Sequence, residues 1–159
     1  MSKIAVVYWS GTGNTEAMAE EVANGAKAAG AEVESFTTDD FAADKMNDYD
    51  AVAFGCPAMG DEVLEEDEFG PLFEDCKAKL SGKKIALFGS YGWGDGEWMR
   101  NWEEDCKTAG AILACDPVIC NDEPDDDAKE ACQNLGKALA KINSRRNICL
   151  LYTSDAADD

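Results

Sequence analysis

The sequence predicts a doubly wound α/β sheet of five parallel strands with helices on both faces. Strand-like apolar runs alternate with helix-like segments along the chain, which is the pattern of repeated strand–helix–strand units. The runs around Val6, Val52 and Ile85 are nearly continuous in apolar character, as expected of parallel strands covered on both faces. At 159 residues, 45% of them apolar, the chain has enough material for one full core, and it shows no internal repeat or interdomain linker.

Each element has its own signal. The first strand reads Lys3–Tyr8. Asn14–Ala29 repeats Met18, Val22 and Ala26 at spacing four, and Gly30 stands where a C-terminal cap belongs. A second strand, Glu32–Thr37, leads to a short helical segment at Ala43–Asn47 and a third strand at Ala51–Cys56. Pro71 suits a helix's first turn, so Pro71–Leu80 is read as a helix stopped by Ser81 and Gly82. Lys84–Gly89 is the fourth strand. Glu97–Ala109 carries Trp98, Trp102 and Cys106 in helical register, and both tryptophans read as core. Ala111–Val118 is the fifth strand. Asp126–Ile142 places Ala128, Cys132, Leu135, Leu139 and Ile142 on one face, with acidic residues at the start, where the helix dipole favours them.

In such a sheet ligands bind beyond the carboxyl ends of the strands. The turns expected there are Ser10–Thr15, Pro57–Glu62, Ser90–Gly96 and the region of Asn121. The first, Ser10-Gly11-Thr12-Gly13-Asn14-Thr15, joins a strand to a helix. The helix's first N–H groups are free, and the glycines let the backbone close around an oxyanion. Ser10, Thr12 and Thr15 add hydroxyls and Asn14 an amide, without a Lys or Arg. That donor set suits a compact phosphate held by neutral groups. The second turn contains Pro57, Ala58, Met59, Gly60, Asp61 and Glu62; the third contains Ser90, Tyr91, Gly92, Trp93, Gly94 and Asp95. Trp93 among glycines presents a large π face for stacking on a planar ring, and Met59 is a soft cover for the ring's other face. Glu62 is an acceptor for a ring N–H, while the rest of the acidic run to Glu68 reads as a solvated face, as does Asp122–Asp127. Cys56 reads as a small buried apolar group.

Taken together, the motifs Ser-Gly-Thr-Gly-Asn-Thr, Ala-Met-Gly-Asp-Glu-Val-Leu-Glu-Glu, Gly-Ser-Tyr-Gly-Trp-Gly-Asp-Gly-Glu-Trp-Met-Arg and Asn-Asp-Glu-Pro-Asp resemble the short-chain flavodoxins of anaerobic bacteria, over Lys3 to about Ile142. The resemblance implies strand order 2-1-3-4-5, one noncovalent FMN, and a low-potential one-electron carrier rather than an enzyme. It implies that Ser10–Thr15 and Ser90 hold the phosphate and that Trp93 and Met59 flank the isoalloxazine. It further implies that the Gly60–Asp61 peptide turns over to accept the N5 hydrogen of the semiquinone and that Glu62 meets the N3 hydrogen. Pro57 departs from the pattern: it stands where similar proteins place a hydroxyl near the phosphate, and it has neither N–H nor hydroxyl to donate.

Composition narrows the partners. With 33 acidic and 14 basic side chains the net charge is −19, which disfavours nucleic acid and anionic membranes and favours a basic protein partner; the resemblance implies that such partners are redox proteins, a reductase or ferredoxin-linked enzymes. The expected state is a monomer. There is no histidine, hence no ordinary general base at neutral pH, and the seven cysteines form no CxxC pair, so no metal site is indicated. The odd cysteine count without a signal peptide predicts reduced thiols in the cytoplasm. The domain is expected to span residues 1–142, with 143–159 a non-native or disordered tail, since Cys149–Asp159 resembles a translated sequencing adapter.

Three other readings compete. Gly11-Thr12-Gly13 begins a dinucleotide fingerprint, with Glu34 or Asp39 as the ribose acid, but position 16 is Glu where the third glycine belongs. A flavin-dependent NAD(P)H or quinone oxidoreductase of the same fold would add a substrate pocket, for which this chain has no extra loops. A phosphoacceptor domain needs acids at the ends of the first and third strands, where Trp9-Ser10 and Cys56-Pro57 stand instead.

Overall fold

Strand residues two apart share a face, and that period divides the core in two. In the computed structural model, which describes residues 3–11, 13–59, 64–92 and 96–141, the strands are β1 (Lys3–Tyr8), β2 (Glu32–Thr37), β3 (Ala51–Gly55), β4 (Lys84–Tyr91), β5 (Ile112–Leu113) and β6 (Val118–Asn121). Ala5, Val7, Val52, Phe54, Ile85 and Leu87 face one layer; Ile4, Val6, Ala51, Ala53, Ala86 and Phe88 face the other. Both sets are fully buried, which is why these strands read as unbroken apolar runs.

All pairs are parallel, in the order β2-β1-β3-β4-β5, with β6 following β5 alongside β4. The five-stranded sheet and its order are as expected. The fifth strand is not continuous. Ile85 pairs with Leu113 and Phe88 with Val118, so Ala86 and Leu87 face the four residues Ala114–Pro117. Pro117 has no N–H for the ladder, and pairing resumes only after it, at Val118. The resumed strand carries β4 on to Tyr91, past the expected end at Gly89. β2 is the edge, and its exposed polar residues, Glu32 and Glu34 on one face and Ser35 and Thr37 on the other, suit that place.

The helices are α1 (Asn14–Ala28), α2 (Phe69–Lys77), α3 (Glu97–Thr108) and α4 (Asp126–Ala140), with a single 3-10 stretch at Ala43–Asp48 that buries Met46. α1 ends as its Gly30 predicts: at φ 96°, Gly30 donates to the Lys27 carbonyl and Ala31 to that of Ala26. α2 and α3 cover the first layer with Phe69, Phe73, Trp98 and Trp102; Phe69 and Phe73 stack on each other and both meet Trp102 edge to face. α1 and α4 cover the second layer and touch backbone to backbone. A Cβ on Gly25 would fall 2.0 Å from the Gln133 carbonyl oxygen, and one on Gly136 would fall 2.1 Å from that of Val22.

α2 begins two residues before the expected Pro71. Glu65, buried inside the run read as a solvated face, accepts N–H bonds from Asp67 (2.9 Å), Glu68 (2.8 Å) and Phe69 (2.7 Å). Burial alone would raise its carboxyl; the three N–H donors outweigh that and hold it below the ordinary carboxylate range. The helix also stops earlier than expected, at Lys77, where the chain tightens into i+3 bonds from Lys79 and Leu80. Expectations for the tail beyond residue 141 lie outside the described residues.

Candidate functional site

The carboxyl ends of β1, β3, β4 and β6 bring four loops together. Trp9, the first residue after β1, donates its N–H to the Gly55 carbonyl at 3.0 Å and so prolongs the ladder toward the loop. Ser10 then folds back. Its Oγ accepts N–H bonds from Gly13 (3.0 Å) and Glu16 (3.2 Å), which shapes the turn and leaves its hydroxyl hydrogen to donate elsewhere. Gly13 begins α1 at φ 99°, a left-handed conformation open to glycine at little cost. Thr15 follows in the first helical turn and is buried. Its Oγ1 lies 3.4 Å from the Ser90 Oγ and accepts the Ser90 N–H at 3.4 Å, so two hydroxyls from loops far apart in sequence lie together beneath the site.

The second loop is tied to the third by backbone. Cys56 donates to the Phe88 carbonyl (3.1 Å) and Ala58 to that of Ser90 (3.0 Å). The buried Trp98 anchors this turn from below, donating Nε1–H to the Cys56 carbonyl at 3.1 Å. The Cys56 thiol is fully buried and burial pushes it up to about 12, so it is inert at neutral pH, as expected of an apolar filler. The fourth loop closes on the third: Asp122 N–H and Asn121 Nδ2 both donate to the Tyr91 carbonyl, at 2.8 and 3.2 Å.

Between these loops lies a cleft of about 220 Å³, lined by Trp9, Gly11, Asn14, Pro57, Ala58, Met59, Ser90, Tyr91, Gly92 and Asp122. Seven of the residues anticipated for the cofactor, Thr12, Gly60, Asp61, Glu62, Trp93, Gly94 and Asp95, lie outside the described residues. Gly11, Asn14, Pro57, Ala58, Met59, Ser90, Tyr91 and Gly92 line the cleft together. Pro57 contributes an apolar wall and no donor. Met59 is 36% exposed, one of the few large apolar side chains among the described residues that face solvent. Ser10 instead lines an adjoining hollow of about 210 Å³ with Tyr8, Glu16, Thr37, Thr38, Asp39 and Glu68; Trp9 divides that hollow from the cleft.

Two residues of the wall were not anticipated. The Trp9 indole lies over Gly11, with Cη2 3.0 Å from where a Gly11 Cβ would be, so this glycine makes room for the ring. An aromatic directly after a strand's last paired residue is the signal that points to it. Asp122 lies in the acidic run read as a solvated helix start, and no pattern in that run singles it out.

The described part of the cleft fits a flavin mononucleotide. Its lining carries no Lys or Arg, and beneath it stand a glycine-started helix and two buried hydroxyls, a donor set for a phosphate held without countercharge. A larger groove, about 800 Å³, runs between α2 and α3 over Phe73, Trp98 and Trp102, rimmed by Glu66, Glu74, Glu104 and Asp105. Its described lining is acidic and aromatic and carries no Lys or Arg, which is unsuited to a phosphate. Among the described residues no cluster of three or more His, Cys, Asp or Glu side chains is placed to hold a metal ion.

Residues 6–136 match the family model for flavodoxin. The chain is 50% identical over 137 residues to the flavodoxin of Clostridium beijerinckii, covering 86% of this chain and 99% of that one. It is 49% identical over 138 residues to the flavodoxin of Megasphaera elsdenii, covering 87% and 98%. The solution structure of the two-electron reduced Megasphaera elsdenii flavodoxin superposes with a TM-score of 0.81 at 50% identity, over 87% of this chain and 98% of the other.

Proposed function

Because the chain belongs to the flavodoxin family, and is thereby an FMN-dependent electron carrier rather than an enzyme, we propose that it is a low-potential one-electron shuttle whose cleft at the carboxyl edge of the sheet holds the cofactor. The observation that carries this reading is the convergence of four strand-end loops on one cleft built over neutral donors. FMN, when bound, supplies a ring that takes up and releases electrons singly.

The chain's own residues would do the rest. Ser10, Gly11, Thr12, Gly13, Asn14, Thr15 and Ser90 would hold the phosphate through N–H and hydroxyl donors. Met59 and Trp93 would cover the two faces of the ring and exclude water, with Pro57, Ala58, Tyr91, Gly92, Gly94 and Asp95 as the surrounding walls. The carbonyl of the Gly60–Asp61 peptide would accept a hydrogen bond from a ring N–H, since glycine lets that peptide turn at little cost, and Glu62 would accept one from a second ring N–H. Carboxylates around the cleft oppose negative charge gained on reduction. One carboxylate at about 10 Å, in an effective dielectric of about 40, costs about 0.8 kcal/mol by Coulomb's law. Several such charges make the more negative step strongly reducing.

Redox proteins are the partners. We take them to be basic surfaces of a reductase or ferredoxin-linked enzymes, met by a monomer through its acidic face. The compartment we propose is the cytoplasm: the six described cysteines are all unbridged, which suits reducing surroundings. Among the described residues no helix is long and apolar enough to cross a membrane.

The test is reconstitution followed by potentiometric titration. Stoichiometric FMN uptake and two resolved one-electron steps support the reading. A chain that stays colourless in excess FMN overturns it, and a single two-electron step overturns the shuttle.

A further inference from the structure

Among the described residues one buried side-chain polar atom has no hydrogen-bond partner, the indole Nε1–H of Trp102. Buried donors are almost always paired, so an orphan of this kind marks a missing acceptor. Trp102 lines the groove of about 800 Å³ between α2 and α3. Trp98, Asn101, Trp102 and Asp105 follow helical spacing on α3 and line it together, with Phe73 and Glu74 from α2. An aromatic floor thus lies under the carboxylates of Glu66, Glu74, Glu104 and Asp105, and none of the lining residues is Lys or Arg. The molecule itself shows what such a rim accepts. Lys77 of α2 places its Nζ 2.8 Å from Glu74 and 2.8 Å from Asp105, so one ammonium joins carboxylates of both helices. Glu66 and Glu104 are exposed and form no ion pair with another described residue. The groove shares no lining residue with the strand-end cleft but adjoins it: the ring of Trp98 lies 5.6 Å, between centroids, from that of Tyr91 in the cleft wall.

We propose that the α2–α3 groove is a docking site for a basic, apolar segment of a partner protein. Lysine or arginine side chains pair with Glu66 and Glu104, apolar side chains cover the aromatic floor, and a backbone carbonyl accepts the Trp102 N–H. Charge complementarity selects this occupant. A second copy of this chain, at net −19, is repelled from an acidic rim. General attraction between a cationic surface and an acidic protein needs neither a floor nor a donor; the groove supplies both. Because groove and cleft share no lining residue, docking here stands or falls separately from the flavin reading.

The test uses the full-length protein with FMN in excess and two capped pentapeptides of equal charge, Lys-Leu-Lys-Leu-Lys and Lys-Ser-Lys-Ser-Lys. Binding is measured calorimetrically at about 0.15 M salt, where the Debye length is about 8 Å and distant charges are screened. The Leu peptide is expected to bind about tenfold more tightly than the Ser peptide, because its apolar side chains leave water. Trp102→Phe keeps the aromatic floor and removes the donor. It should bind the Leu peptide about fivefold more weakly yet melt no lower than wild type, since the free protein loses only an unpaired N–H. Glu66→Gln combined with Glu104→Gln should weaken binding about tenfold, whereas Glu20→Gln combined with Glu130→Gln, exposed on α1 and α4 across the sheet, should leave it within about twofold. Equal affinities for the two peptides, or equal losses in the two double variants, reduce the effect to overall charge and overturn the proposal. Undiminished binding in Trp102→Phe overturns it too, as do tryptophan indole N–H resonances of the wild type that stay unmoved at peptide saturation. Wild type that takes the Leu peptide with these dependences but no FMN supports the groove and removes only the flavin reading.

Discussion

Glu65 illustrates how one side chain sets an element's start. Its carboxylate takes three consecutive N–H groups, those of Asp67 and Glu68 just before α2 and that of Phe69 at its first position. Replacing it by Ala is expected to cost about 2 kcal/mol of unfolding free energy, the upper range for a helix cap. The same group gives a pH dependence with a fixed sign. Its folded value lies below the 4.5 of the free side chain, so its stabilisation is complete above that value and is lost as pH falls through the folded one. Urea titrations from pH 7 downward should show wild type losing stability below about pH 4.5, while Glu65→Gln, already lower at pH 7, loses less on the way down. Parallel curves for the two proteins would refute this. Beside the cleft, Gly11 and Trp9 form a second local pair. A methyl on Gly11 meets the indole at 3.0 and 3.2 Å, so Gly11→Ala should weaken FMN binding by about 1 kcal/mol through overpacking. Combining it with Trp9→Phe should recover part of that loss, because the smaller ring vacates the contact. Calorimetric titration of the three variants gives the coupling directly, and strict additivity would show that the ring and the glycine act independently.

At the scale of elements, the contact between α1 and α4 reverses an ordinary rule. Gly→Ala inside a helix normally gains about 0.5–1 kcal/mol. Gly25 and Gly136 lie within 2.0 and 2.1 Å of opposing carbonyls once a Cβ is added, so backbone itself would have to move. Gly136→Ala is therefore expected to lose about 3 kcal/mol or more in denaturant unfolding, and a stabilised variant would mean that the helices separate readily. Nothing in the sequence announces this contact, because the two glycines are far apart in the chain and each looks like a tolerated weak spot in its own helix. The strands were legible for the opposite reason. A strand buried on both faces must be apolar at every position, and β1, β3 and the core of β4 are. β5 and β6 read as one strand because the run Ala111–Val118 is mostly apolar; the interruption depends on where pairing with β4 can resume after Pro117. Loops rich in Gly, Ser and Thr announced the cleft, since few other segments use those residues at a strand's end. Glu65 stayed hidden in an acidic run, where composition alone does not separate a solvated carboxylate from one that the backbone has captured.

At the scale of the molecule, charge is the dominant property. A chain of 159 residues bearing 33 acids and 14 bases repels anions and draws cationic surfaces from a distance. Such steering acts mainly on the encounter, because long-range attraction raises the association rate while short contacts set how long the complex lasts. The Debye length shrinks from about 30 Å at 0.01 M salt to about 10 Å at 0.1 M, less than the span of a small domain. Stopped-flow electron transfer to a basic redox partner should therefore slow by about tenfold or more across that range in its second-order rate constant. The limiting first-order rate, which reports transfer within the formed complex, should change far less. The cleft carries no Lys or Arg among its described lining residues, so salt should leave FMN affinity nearly unchanged over the same interval. The two measurements together separate a global field from a local grip. A partner rate indifferent to salt would show that the acidic surface does not guide association, and an FMN affinity falling steeply with salt would show that countercharge, rather than neutral donors, holds the phosphate.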